Sequence, residues 1–142
     1  MRVGILGSRL MGGKLGTIFA RAGCGQYQTH HWHHYVGSRR TRKESSTRHV
    51  VLALDTVPSE VLFGVFESKG KETRPSLVYC GDDQGAKNVA AKLIHDAGFD
   101  PVDAGSLRIA RYTEPFALLV GERAYGGDGG PELAYRFERL MK

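Results

Sequence analysis

The first twenty-three residues constrain the fold most. Val3, Ile5 and Leu6 make a short apolar run ended by Gly7, the pattern of a strand buried in a parallel sheet. From Leu10 onward, Met11, Leu15, Ile18, Phe19 and Ala22 recur at helical spacing, and Gly23 stands where a helix commonly takes a left-handed residue. This reads as strand, glycine turn, helix and stop.

The rest of the chain continues the alternation. Residues 24–49 are the least regular part, although Tyr35 and Val36 could end a second strand. Residues 49–54 are a buried-strand candidate closed by a turn at Asp55, Thr56, Val57 and Pro58. Ser59 is placed to cap a short helix through Val61, Leu62, Val65 and Phe66. A strand at 76–80 leads through Asp82 and Asp83, one of them a helix cap, into the clearest helix of the chain. There Ala86, Val89, Ala90, Leu93, Ile94 and Ala97 form one face and Gly98 a terminator. With a strand at 99–104, residues 76–104 make a β-α-β unit. Residues 107–125 have helical character that Pro115 is expected to kink or divide after Glu114. After a glycine-rich loop, Pro131 suits the first turn of a closing helix carrying Leu133, Ala134, Phe137, Leu140 and Met141. The fold class expected is α/β, a mainly parallel sheet with helical cover, which the resemblance set out below makes Rossmann-like.

With 142 residues the chain has the size of one compact domain, 1–142. It divides into the turn and first helix (1–23), an irregular basic segment (24–49) and the remaining α/β portion (50–142). No apolar run is long enough to cross a bilayer and no secretory pattern opens the chain, so a cytoplasmic address is expected. Cys24 and Cys80 have neither redox-pair nor zinc-site spacing and read as incidental thiols.

A dinucleotide fold needs three small residues after its first strand: one for the turn, one for backbone approach to the pyrophosphate, and one for helix–strand packing. Here the stretch is Gly7, Ser8, Arg9, Leu10, Met11 and Gly12, with Arg9 in the middle place. A side chain there either obstructs the pyrophosphate or swings aside and pairs with it, while the helix N-terminus still favours an anion.

The next clue is at Ser38, Arg39 and Lys43. The ribose 2′-phosphate of NADPH calls for a hydroxyl and cations in place of an acidic residue, and no Asp or Glu lies between Gly12 and Glu44. NADP(H) is therefore expected over NAD(H).

Taken with the blocks TVPSEVLFGVF, RPSLVYCGDD, AGFDPVDAGSLRIARYTEPFALL and GGPELAYRFERL, the opening segment resembles the NADPH-dependent reductases related to NADPH:coenzyme F-420 oxidoreductase. The resemblance covers most of 1–23 and 50–140. It implies a Rossmann domain holding NADPH, with hydride passing between nicotinamide and a deazaflavin, a flavin or a small acceptor. It further implies that Gly7, Ser8 and Gly12 line the pyrophosphate, that Ser38 and Arg39 take the 2′-phosphate, and that Thr56, Val57 and Pro58 run near the nicotinamide. The chain departs from the family at Arg9 and in the middle, where 23–50 is too short for the second, third and fourth strands with their helices. It is thus shortened relative to the family.

No catalytic side chain can be assigned, and no metal is expected. The run from His30 to His34 lacks a nearby Asp, Glu or Cys set and reads as a loop more readily than as a metal site. Glu114 with Arg111 and Tyr112 either positions an acceptor or faces solvent. Uncovered sheet edges make a homodimer the expected assembly. The alternative functions are a non-catalytic dinucleotide binder or degraded relative and, ranked last, a nucleic-acid contact through residues 39–48 with Trp32 and Tyr35 for stacking.

Overall fold

The computed structural model describes residues 3–7, 9–23, 27–31 and 49–140. Strand β1 (Val3–Gly7) passes within one residue into helix α1 (Arg9–Arg21), and the chain then returns as β2 (Tyr27–His31). β1 and β2 pair in parallel, Val3 opposite Tyr27 and Gly7 opposite His31. The segment read as irregular therefore opens with a strand. Its Tyr, Gln, Thr and His residues carry no apolar run, so only pairing with β1 reveals it.

The second sheet holds β3 (Val51–Ala53), β4 (Ser76–Gly81) and β5 (Asp100–Asp103), in the order β3-β4-β5. All six residues of β4 are buried, as suits a central strand covered on both faces. β5 runs parallel to it, completing the expected β-α-β unit, whereas β3 is antiparallel. The sheet is mixed, not uniformly parallel, because β3 is a short edge strand of half-buried residues. An antiparallel edge beside parallel strands is a common arrangement.

Helices α2 (Val61–Glu67), α3 (Gln84–Asp96) and α4 (Ala110–Tyr125) cover this sheet. Asp83 caps α3, its Oδ1 accepting from the Ala86 N–H at 2.7 Å. Asp82 instead accepts from the Leu107 N–H at 3.0 Å, where a 3-10 turn leads into α4. Ser59 does not cap α2; Glu60 holds the N-cap position with helical angles and no side-chain capping bond. Pro115 lies inside α4 without dividing it, because proline removes only one ladder bond and that helix is held by the burial of Ala110, Thr113, Val120 and Ala124.

Leu15, Ile18 and Phe19 of α1 join Leu62, Phe66, Leu77, Tyr79, Ile94 and Phe99 in the main core. The expected closing helix is absent from 131–140, which runs without regular secondary structure. Leu133 and Tyr135 are half-buried while Glu132, Ala134 and Arg136 are exposed. This period of two overrides the helical reading. The Ser76 N–H donates to the Tyr135 carbonyl at 2.8 Å, and the Phe137 N–H to Ser76 Oγ at 2.9 Å. The strap thus lies against the start of β4, beyond the register that short β3 covers.

Candidate functional site

The β1-α1-β2 unit supplies the geometry that the glycine turn implies. Gly7 is the last residue of β1, and the first turn of α1 is Arg9, Leu10, Met11 and Gly12. Of these, Arg9, Leu10 and Met11 carry N–H groups that lack an intrahelical acceptor, at the positive end of a 13-residue helix. An anion at the carboxyl ends of β1 and β2 would meet them. Met11 turns its side chain into the core and offers a ligand only its backbone. A Cβ built on Gly12 meets no atom of the described residues within 4 Å, so their helix–strand packing does not require glycine there. Its absence leaves room above the first turn, which is what the pyrophosphate end of a dinucleotide needs.

Ser8, Ser38, Arg39 and Lys43 lie outside the described residues, as do 32–34 of the histidine run and Tyr35 and Val36; His30 and His31 end β2. The loop after β3 is brought beside α1, since Lys14 Nζ donates to the Ser59 carbonyl at 3.0 Å and to its Oγ at 3.2 Å. Thr56, Val57 and Pro58 are nevertheless buried. The Thr56 hydroxyl, 1% exposed, is 2.6 Å from the Tyr135 hydroxyl, which also accepts from the Val78 N–H at 3.3 Å. The strap has taken up the polar group that the loop would have offered a ligand.

A polar cluster that the sequence did not reveal lies behind that loop. Asp55 Oδ2 is buried without a hydrogen-bond partner. Burial raises the Asp55 carboxyl above the usual carboxylate range, and the charge of Glu114 adds to the effect; its own backbone and Thr113 oppose it. Thr113 has a single hydroxyl proton, and its 3.2 Å contact with the Ala110 carbonyl competes for it. Glu114 is half-buried near Asp55, while Arg111 and Tyr112 are exposed. Nothing in the spacing of residues 55 and 114 signals that the charge of one reaches the other. The same surroundings push the Cys80 thiol up to about 11, burial first and then Asp55, Asp103 and Asp82, so Cys80 is a protonated core residue at neutral pH.

A carboxyl with a raised folded pKa favours the native state while it stays protonated and loses that contribution as pH rises through the folded value. Asp55→Asn is therefore expected to raise the thermal midpoint at neutral pH and to show no gain near pH 4. Melting curves across that interval check the sign; an equal gain at both ends would mean that ionisation of Asp55 is not the cause.

An apolar cavity of about 260 Å³ lies between α4 and the β4-β5 face, lined by Val78, Val102, Thr113, Phe116 and Phe137 among others. Phe116 and Tyr135 pack edge to face at 4.9 Å beside it. Among the described residues, no helix is long and apolar enough to cross a membrane.

The unit β1-α1-β2, followed by a three-stranded mixed sheet with helical cover, defines a small Rossmann-like α/β fold. It is shared with the crystal structure of a protein from Arthrobacter sp. FB24 described provisionally as an F-420-dependent NADP-reductase, at a TM-score of 0.60 and 24% identity. The match covers 72% of this chain and 45% of that one, so this chain spans less than half the length of its neighbour. No protein-family model matches the chain, and no curated protein does so.

Proposed function

We propose that the chain is an NADP(H)-dependent oxidoreductase that passes hydride between nicotinamide and a deazaflavin, flavin or small acceptor. The observation that carries this reading is the β1-α1-β2 unit, in which Gly7 ends a parallel strand and the N–H groups of residues 9–11, which lack intrahelical acceptors, lie beside the open space at Gly12. The fold shared with the Arthrobacter protein and the basic Ser38, Arg39 and Lys43 segment support it. In this reading the N–H groups of residues 9–11, with Gly7, Ser8 and Gly12, hold the pyrophosphate. Ser38, Arg39 and Lys43 hold the 2′-phosphate, and the 56–58 loop flanks the nicotinamide through its backbone. A bound nicotinamide supplies the hydride chemistry; the protein's part is alignment of two rings and exclusion of water. A single domain and a cytoplasmic setting accord with this proposal.

Titration with NADPH and NADH, followed by nicotinamide fluorescence and thermal midpoint, tests it. The expected result is saturable binding with a preference for NADPH of about tenfold, lost on Ser38→Ala or Arg39→Ala. Gly12→Ala is expected to stabilise the apoprotein by roughly 0.5–1 kcal/mol, since alanine is the better helix former and meets no atom, while weakening NADPH binding. Stabilisation with unchanged affinity would place the pyrophosphate elsewhere, and no binding to folded protein would remove the reading.

A second reading, a dinucleotide binder without catalysis, is favoured by Arg9 at the first helical position and by the burial of Thr56, Val57 and Pro58. It predicts NADPH binding with no turnover across deazaflavin, flavin and small acceptors.

A further inference from the structure

We infer that the exposed face of α4 is a self-association surface on which a second copy of this chain packs antiparallel, Arg111 of each copy against Glu122 of the other. The inference is independent of the dinucleotide site. Helix α4 buries one face in the protein, and away from it Leu118 and Leu119 are 70% and 59% exposed, flanked on one side by Tyr112 and on the other by Tyr125, whose hydroxyl donates to Glu60 Oε2 at 2.8 Å. Large apolar side chains exposed together beyond the buried face of one helix are a mark of an interaction site.

The charges at its ends select the partner. Arg111, Pro115, Leu118 and Glu122 follow one another at intervals of four, three and four, so they share one stripe of the helix, and all are exposed. Neither Arg111 nor Glu122 pairs with another charge among the described residues. Each also has the wrong sign for its own helix. Arg111 lies in the first turn, where the helix dipole disfavours a cation, and Glu122 in the last, where it disfavours an anion.

A parallel copy would set arginine against arginine and glutamate against glutamate. An antiparallel copy, related by a two-fold axis between Pro115 and Leu118, sets each arginine beside a glutamate and the negative end of the facing helix. The apolar residues between them then meet across the axis, with the two ion pairs about 16 Å apart along the helix. The same patch serves both copies, as a closed two-fold dimer requires. This replaces uncovered sheet edges as the ground for expecting a dimer.

Sedimentation of the full chain over a range of concentrations tests the proposal, with circular dichroism to confirm that each variant is folded. A reversible monomer–dimer equilibrium is expected. Arg111→Glu and Glu122→Arg should each weaken it by about tenfold or more, because each single change sets like charges face to face. The double variant Arg111→Glu/Glu122→Arg should return the affinity to within about threefold of the parent, since the pair is restored with its signs exchanged. A monomer at all concentrations, a dimer indifferent to the single changes, or a double variant no better than the singles would each overturn the proposal.

Discussion

Replacing Phe99 by alanine is expected to lower the unfolding free energy by about 3–5 kcal/mol, the range for truncating a fully buried aromatic ring. Phe99 is 0% exposed and belongs to the core in which α1, α2, α3 and β4 meet. Its N–H donates to the Ile94 carbonyl at 3.1 Å, so the ring enters the core directly from the end of α3. A loss of this size is a large fraction of the stability of an ordinary domain and should lower the thermal midpoint by about 10 °C. The variant also gives a sensitive assay of the proposed cofactor. NADPH at about a hundred times its Kd should restore roughly 2.7 kcal/mol, because only the native state has the site. Urea denaturation with and without NADPH measures both quantities. Full destabilisation without rescue would count against the β1-α1-β2 site while leaving the account of the core intact.

Gly98→Ala is expected to cost roughly 3 kcal/mol, for two reasons that add at one atom. Gly98 has φ +100, a conformation that L side chains rarely adopt, and a Cβ there would lie 2.7 Å from the Val65 carbonyl oxygen. That oxygen is backbone, so relief requires moving α2 away from the end of α3. Gly23, also at positive φ after α1, would meet no atom of the described residues within 4 Å if given a Cβ. Gly23→Ala should therefore lose only the conformational part, and the difference between the two variants in the same denaturation experiment isolates the contact with α2. Because Gly98 and Phe99 are neighbours, the double variant is not expected to sum the single losses.

The local elements with strong patterns were legible in the residues. Helix α3 was marked by its apolar face, by an aspartate placed to cap it and by Gly98, and β4 by a short apolar run between polar turns. The opening strand, turn and helix were legible for the same reason. β2 was not, because a strand made of polar residues has no hydrophobic period and exists through its pairing with β1. The strap at 131–140 was misread because Leu133, Ala134 and Phe137 fit a helical face while Leu133, Tyr135 and Phe137 fit an extended one. The decision between them came from bonds to Ser76, more than fifty residues away in sequence. At the candidate site, the glycine turn between β1 and α1 could be read from spacing, but the burial of Thr56 under Tyr135 could not.

By itself the sequence determined which segments become helices and strands wherever apolar period, caps and glycines agree. It thereby determined a Rossmann-like α/β fold that opens with a glycine turn, because those signals act over a few residues. The tertiary structure alone decided that β3 runs antiparallel at an edge, that the C-terminal segment straps β4, and that the buried Asp55 feels the charge of Glu114. It also decided that Arg111 and Glu122 stand on an uncovered face of α4. Each of these depends on which distant groups compete for the same hydrogen bonds and the same buried volume, a competition resolved only when the whole chain is packed.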